Sequence, residues 1–220
     1  MIGKVISCGA ILLFILLAGL SHDPATAQMT DALPEYEEGT VFIFSDGRVE
    51  RVQEVQDDQI IWATRRGREY VKSPNIAVPI LEWQIGEVEG IRTIIGGPDG
   101  VWPPELGRSS RFRVRTDISR DGHHGRRIEA WSCRVGKPDW LTVPAGEFET
   151  HPVTCDRYSL GTMKLLQRRT WWWSSDVGHY IKRTSQSYRS GARKTSELCA
   201  AVHRDAVSEK RISVLANQGC

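Results

Sequence analysis

The chain has 220 residues, and its 29 lysines and arginines against 27 aspartates and glutamates give a formal net charge of +2. Because a nucleic-acid-binding domain needs a concentrated basic surface, this near balance argues against a nucleic-acid partner. The length suits one domain of ordinary size, or a small module attached to a larger one.

Arginines are clustered in several places, most regularly at Arg111, Arg113 and Arg115. Such clusters attract anionic polymers or lipid headgroups. A two-residue period, however, is typical of the solvated face of a strand, and we favour that interpretation.

The N-terminus has the parts of a secretory signal in their usual order: Lys4, an apolar run at 11–20 and Ala25-Thr26-Ala27. This order predicts that residues 1–27 are a cleaved signal peptide and that the mature protein is periplasmic or secreted, in a bacterial cell envelope. The apolar run is shorter than the roughly 20 residues of a membrane span, so no stable span is expected after cleavage. An uncleaved N-terminal anchor is the alternative.

Four cysteines follow the predicted signal: Cys133, Cys155, Cys199 and Cys220. An even count in an exported chain favours disulfides. Alternation along two predicted strands points Cys133 and Cys155 into one core, which predicts a bridge between them. The pairing of Cys199 with Cys220 is left open, and the absence of a CxxC pair leaves a zinc site without support.

The first part of the mature chain is predicted to be a lead-in followed by a small β-meander. Residues 28–38 are polar and contain Pro34, which is typical of a flexible lead-in. Residues 39–72 contain four short strand-like segments separated by turn residues, which predicts a curled meander of SH3-like size.

The positions of proline and glycine divide the remainder of the chain into a predicted connector, a strand-rich part and a C-terminal tail. Proline and glycine recur through 73–107, which is therefore predicted to be a connector with strand-like pieces at 80–83 and 91–95. From 108 to 204, strand-like segments recur about every ten residues, which is the all-β pattern. The predicted fold class is all-β, with the meander followed by a larger antiparallel sheet, sandwich or open barrel. Residues 205–220 are predicted to be a C-terminal tail with a short helix.

Three motifs support a resemblance to a known group of proteins. They are Trp131-x-Cys133, the segment Val143-Pro144-Ala145-Gly146-Glu147-Phe148-Glu149-Thr150, and Trp172-Trp173-x-x-Asp176-Val177-Gly178-His179-Tyr180-Ile181. Over about residues 108–202 the chain resembles the DUF3108-like exported bacterial β-proteins. The resemblance implies an antiparallel β-structure without a settled activity.

Candidate ligand-binding residues lie around the run of three tryptophans. Alternation places Trp172 on one strand face and Trp171 with Trp173 on the other, so either set can be core while the other faces outward. Trp171 and Trp173, with the neighbouring Arg169, are predicted to bind a ligand, because aromatic faces stack on sugars and peptide side chains. Two packed sheets would bury both faces and remove this site.

His179 is the remaining candidate for ligand binding. It follows Gly178 at the exit of a predicted turn, where a packing role is the simpler interpretation. The spacing of the histidines and acids predicts no metal site, and no cofactor is expected. There is no Gly-x-Ser-x-Gly elbow, so no catalytic residue is assigned.

The function predicted from these observations is that of a non-enzymatic envelope protein. It is expected to bind a partner protein, a glycan or a lipid through a β-sheet surface. The first alternative is a periplasmic hydrolase-type enzyme that uses His179 and nearby acidic residues. The second is a structural subunit of an envelope complex, and the oligomeric state is left open.

Overall fold

The computed structural model describes residues 33–220. The predicted signal peptide at 1–27, its cleavage site and the first part of the predicted lead-in at 28–38 lie outside the described residues.

Thirteen strands and one α-helix form most of the described chain, so the predicted all-β class is confirmed. The strands are β1 (Thr40–Phe44), β2 (Val49–Val55), β3 (Ile60–Thr64), β4 (Glu69–Lys72), β5 (Glu82–Ile85), β6 (Val88–Gly96), β7 (Ser109–Arg120), β8 (His123–Val135), β9 (Asp139–Val143), β10 (Gly146–Ser159), β11 (Leu165–Ser174), β12 (His179–Ser187) and β13 (Arg193–His203). The helix α1 is Glu209–Gln218.

The strands form one antiparallel sheet that closes on itself. β1 pairs with both β2 and β13, and β10 pairs with both β8 and β11. Twelve strands therefore form a closed barrel, while β9 pairs with the first residues of β10 outside this ring. Closure leaves no unpaired strand edge in the ring.

The closed barrel corrects two parts of the fold prediction. The meander at 39–72 is not followed by a separate sheet, because β1 pairs with β13 and β4 pairs with β5. The sandwich and the open barrel are both wrong, because the pairing of β10 with β11 completes the ring. The predicted connector at 73–107 supplies β5 and β6 to the same sheet. How far 39–72, 73–107 and 108–204 fold independently stays a prediction.

The two ends of the barrel differ in their connections. Because consecutive strands run antiparallel, the tight turns after β1, β3, β5 and β7 all lie at one end, which we call the hairpin end. The longer connections 73–81 and 97–108 lie at the other end, which we call the plugged end. Asn75 links them, because its Nδ2 donates to Asp99 Oδ1 over 2.8 Å.

Apolar side chains fill the barrel toward the plugged end. They come from the inner faces of most strands and from both long connections, and they include Phe42, Val52, Trp62, Ile76, Trp102, Val135, Val153 and Trp173. Full burial of one such side chain contributes about 1.5–3 kcal/mol. This half of the interior is therefore the main hydrophobic core.

Cys133 and Cys155 lie inside this core. They are directly opposite each other on β8 and β10, with their Cα atoms 4.0 Å apart, and the two sulfurs are at disulfide distance. This is the pair that the alternation predicts. Cys199 and Cys220 also lie at disulfide distance, with Cα atoms 5.6 Å apart.

The C-terminal residues include the short helix that the sequence predicts. Helix α1 begins after Ser208, whose hydroxyl accepts from the amide of Arg211, and packs Ile212 and Ala216 against the outer face of β1. It covers Ile43, whose side chain is fully buried. The wall of the barrel therefore has a second, smaller apolar core on its outside.

Candidate functional site: the basic lumen

Charged side chains line the half of the barrel interior that lies toward the hairpin end. We call this half the basic lumen. Its cations are Arg48, Lys72, Arg92, Arg157, Arg169 and Arg183, and its carboxylates are Glu50 and Glu129. A cavity of about 390 Å³ opens here, bordered by Arg48, Glu50, Tyr70, Trp83, Arg92 and Arg183.

Strand alternation places these charges inside the barrel. On β8 the inner face passes from the buried Trp131 to Glu129, and on β11 it passes from the buried Trp171 to Arg169. Since side chains two residues apart share a face, the charged residues continue the core face toward the hairpin end. The interior therefore changes from apolar to basic along the length of the strands.

Arg169 lies among other arginines. Its pKa is lowered to about 9 by burial and by the positive charges of Arg183, Arg157 and Arg92. Among the described residues it has neither a hydrogen-bond partner nor an ion-pair partner. A guanidinium group keeps its proton in a protein, so Arg169 is a charged group that has no counter-ion among residues 33–220.

The neighbours of Arg169 are only partly neutralised. Arg157 Nη1 lies 3.7 Å from Glu129 Oε2. Arg92 donates to the carbonyl of Ile80 over 2.6 Å and stacks on Trp83, with its guanidinium carbon 4.1 Å from the ring centre. The stacked contact holds the guanidinium flat at the side of the cavity without neutralising its charge.

Glu50 is the carboxylate at the deep end of the basic lumen. It accepts from Arg48 Nη1 over 2.9 Å and from the Tyr180 hydroxyl over 2.7 Å. Burial alone would raise its pKa, but Lys72 and Arg48 outweigh burial and hold the pKa of Glu50 well below its ordinary value. Glu50 therefore stays ionised and neutralises part of the deep positive charge.

His179 lies just beyond Glu50 and is fully buried. Its ring stacks on Phe42 at 4.2 Å between centroids, and Tyr36 Oη lies 2.9 Å from its Nδ1. Nε2 faces Glu50 Oε2 at 3.4 Å, in a geometry that makes no hydrogen bond. Because the ionised Glu50 favours the tautomer with a hydrogen on Nε2, Tyr36 donates to Nδ1. The packing role considered for His179 agrees with this environment.

The predicted ligand-binding residues take different positions. Trp171 and Trp173 are buried in the core, so an outer patch formed by these two rings is wrong. Trp172 is on the outer face, where the Lys182 ammonium lies 5.8 Å from its ring centre. Arg169 alone among the predicted residues borders the basic lumen.

Most of the lumen residues were missed by the sequence analysis. Arg157 lies two residues after Cys155, and Arg183 lies two residues after the buried Ile181, so both continue a core face. The two-residue spacing from a buried side chain is the feature of the sequence that indicates these inward positions. Charged residues in a strand ordinarily face solvent, however, so this spacing does not by itself predict an inward position.

Two further observations concern metal ligands and membrane-spanning helices in the described part of the chain. No group of three or more His, Cys, Asp or Glu side chains within residues 33–220 is placed to hold a metal ion. No helix in the same range has both the length and the apolar character needed to cross a membrane.

Comparison with solved structures finds similar chains of low sequence identity. The chain is similar to the hypothetical lipoprotein YmcC from Escherichia coli, with 11% identity and a TM-score of 0.49 over 73% of this chain and 82% of that one. It is also similar to a hypothetical exported protein with a YmcC-like fold from Bacteroides fragilis, with 12% identity and a TM-score of 0.42 over 76% of this chain and 97% of that one. A third similar chain is a hypothetical lipoprotein from Parabacteroides distasonis, with 12% identity and a TM-score of 0.38 over 76% and 96% of the two chains.

The sequence itself matches no family model and no curated protein. The resemblance to the DUF3108-like proteins therefore stays a prediction.

Proposed function

We propose that this chain is an extracytoplasmic, non-enzymatic binding protein that takes an anionic ligand into its basic lumen. The observation that supports this proposal is the position of Arg169, a half-buried cation that faces the lumen among Arg92, Arg157 and Arg183 and has no carboxylate partner within residues 33–220. Disulfide-distance pairs at Cys133–Cys155 and Cys199–Cys220 fit an oxidising compartment outside the cytoplasm.

The charge balance favours binding over a structural role. Six cations face two carboxylates in the basic lumen, and removing charged groups from water is costly unless they are paired. Arginines whose role is structural are expected to have a carboxylate, as Arg168 on the outer face has Asp156 at 2.6 Å. Guanidinium groups that converge without such partners are suited to a phosphate or carboxylate supplied by a ligand.

No observation favours the hydrolase alternative. His179 is fully buried, and its ring is enclosed by Phe42, Trp62 and Tyr36. A general base must reach the proton that it removes, directly or through one water. The structural-subunit alternative has no specific contact in its favour.

The proposal is tested by calorimetric titration of the purified protein with inorganic phosphate at low ionic strength. We expect saturable binding, with Arg169→Gln weakening it at least tenfold and Arg113→Gln, at an exposed site on β7, leaving it unchanged. Without phosphate, Arg169→Gln should raise the melting temperature, because it relieves repulsion among the lumen arginines. Phosphate should raise the melting temperature of the wild type only.

The opposite pattern would overturn the proposal. If Arg169 has a structural role, Arg169→Gln lowers the melting temperature whether or not phosphate is present. If wild-type protein binds neither phosphate nor sulfate nor citrate, the basic lumen is not an anion site.

A further inference from the structure

A second group of arginines lies where the basic lumen meets the hairpin end. The turn between β3 and β4 contains Arg65, Arg66 and Arg68, all exposed. We call these three residues the rim arginines. They border a cavity that is also bordered by Arg48, and Arg48 and Arg68 line the lumen cavity as well. The rim cavity and the lumen cavity therefore share Arg48 and Arg68.

Strand β4 sets the distance between the two groups. Arg68, Tyr70 and Lys72 are two residues apart, so they share the inner side of this strand and its turn. At about 3.3 Å of rise per residue, the backbone of Arg68 lies roughly 13 Å from that of Lys72 along the strand. The positive charges thus form a column from the deep carboxylate Glu50 to the exposed turn.

The rim arginines have no acidic partners among residues 33–220, in contrast with exposed arginines such as Arg126, which pairs with Asp117. Glu69 also borders the lumen cavity, but alternation turns it to the outer side of β4. The rim is therefore positive, and its charge adds to that of the lumen behind it.

We propose that the basic lumen and the rim arginines form one elongated site for a linear chain of phosphate groups, whose end enters the barrel. This inference rests on the proposed function and extends it. A single phosphate carries a charge of only about −2 near neutral pH, so it cannot neutralise the lumen cations and the three rim arginines together. A chain of linked phosphates presents a negative charge at each step and satisfies cations along the whole column.

The experiment measures affinity against chain length. Inorganic phosphate, pyrophosphate and tripolyphosphate are titrated into wild-type protein, into the rim variant R65Q/R66Q, which keeps Arg68 of the lumen cavity, and into a control that loses the same charge elsewhere, R111Q/R113Q. We expect wild-type affinity to rise at least tenfold from phosphate to tripolyphosphate, and the control to behave in the same way. In the rim variant the gain with chain length should fall below threefold, while phosphate itself binds as in wild type.

The outcomes separate this inference from the proposed function. If phosphate does not bind at all, the proposed function fails. If phosphate binds but the affinity does not rise with chain length, or if the rim variant and the control respond alike, only the elongated site fails.

A second experiment measures co-sedimentation of the protein with vesicles that contain phosphatidic acid, whose phosphate is fixed at a bilayer surface. Little binding is expected, and strong binding that is lost in the rim variant would make the rim a membrane contact instead.

Discussion

Tyr180 donates its hydroxyl to Glu50 Oε1 over 2.7 Å, at the level where the apolar core meets the basic lumen. Arg48 donates to the same oxygen over 2.9 Å. Glu50 is therefore a buried carboxylate shared by a tyrosine and a cation, and it links the inner faces of β2 and β12. Removing its charge would leave Arg48 and Lys72 without their nearest anion.

We therefore expect Glu50→Gln to lower the free energy of unfolding by about 3 kcal/mol or more, because breaking a buried ion pair leaves an uncompensated charge. Urea denaturation measures the change. Glu54→Gln, at an exposed position of the same strand, is the matched control and should change stability by less than about 0.5 kcal/mol. If both variants lost the same free energy of unfolding, the contacts of Glu50 with Arg48 and Tyr180 would make no net contribution to stability.

His179 gives a prediction for the pH dependence of stability. Burial lowers its pKa to about 4, against the opposing effect of the Glu50 carboxylate. The unfolded histidine titrates near pH 6.5, so between these values the unfolded chain binds a proton that the folded chain does not. The stability contribution of His179 is therefore complete above about pH 6.5 and is lost as the pH falls toward 4, by about 3 kcal/mol.

The test compares the free energy of unfolding between pH 7 and pH 4 for wild type, His179→Gln and His123→Gln. Wild type and His123→Gln, which alters an exposed residue at the start of β8, should both lose stability steeply over this range. His179→Gln should start lower and have a shallower slope. A slope as steep as that of wild type would assign the acid sensitivity to other groups.

The local features of this fold could be predicted because they depend on residues close in sequence. The turn at Asp46-Gly47 and the shared face of Cys133 and Cys155 both follow from the two-residue period and turn chemistry. Closure of the barrel depends instead on β1 meeting β13, more than 150 residues away, and on β10 meeting β11. β10 and β11 form a local hairpin, but the pairing of β1 with β13 has no local signal, and this is the reason that the sequence predicts separate modules.

The site was only partly predictable for a related reason. The position of Arg169 beside the tryptophans makes it a candidate in the sequence, but its place inside the barrel follows from the closed ring. In an open sheet or a sandwich, an inward charged residue would be excluded by desolvation. A barrel wide enough to leave a cavity tolerates an inward charged residue. The same alternating pattern therefore indicates a solvated face in an open sheet and a charged lumen in a closed barrel.

The three consecutive tryptophans allow a direct test of the inner and outer faces. Trp171 is buried in the core, whereas Trp172 is on the outer wall beside Lys182. Trp171→Ala should cost about 3–5 kcal/mol through the cavity it leaves. Trp172→Ala should cost about 1 kcal/mol, the usual size for a partly exposed side chain. Chemical denaturation of both variants checks the order, and a larger loss for Trp172→Ala would place the faces the other way round.

Export of the chain stays a prediction, because residues 1–27 lie outside the described residues. N-terminal sequencing of the mature protein should begin at Gln28, given the order of Lys4, the apolar run and Ala25-Thr26-Ala27. A chain that keeps Met1 and sediments with membranes would support the uncleaved anchor instead.

Helix α1 is expected to contribute substantially to the stability of the barrel wall. Ile212 is fully buried against Val41 and Ile43 of β1, whereas Val214 is 36% exposed on the other side of the helix. Ile212→Ala should therefore cost about 2–5 kcal/mol and Val214→Ala less than about 1 kcal/mol, because only the first leaves a cavity. Hydrogen exchange should quicken in Glu209–Gln218 and in β1 for Ile212→Ala alone. If the two variants lose the same stability, or if exchange in β1 does not change, the helix is a loosely held tail and the outer core is not a stabilising contact.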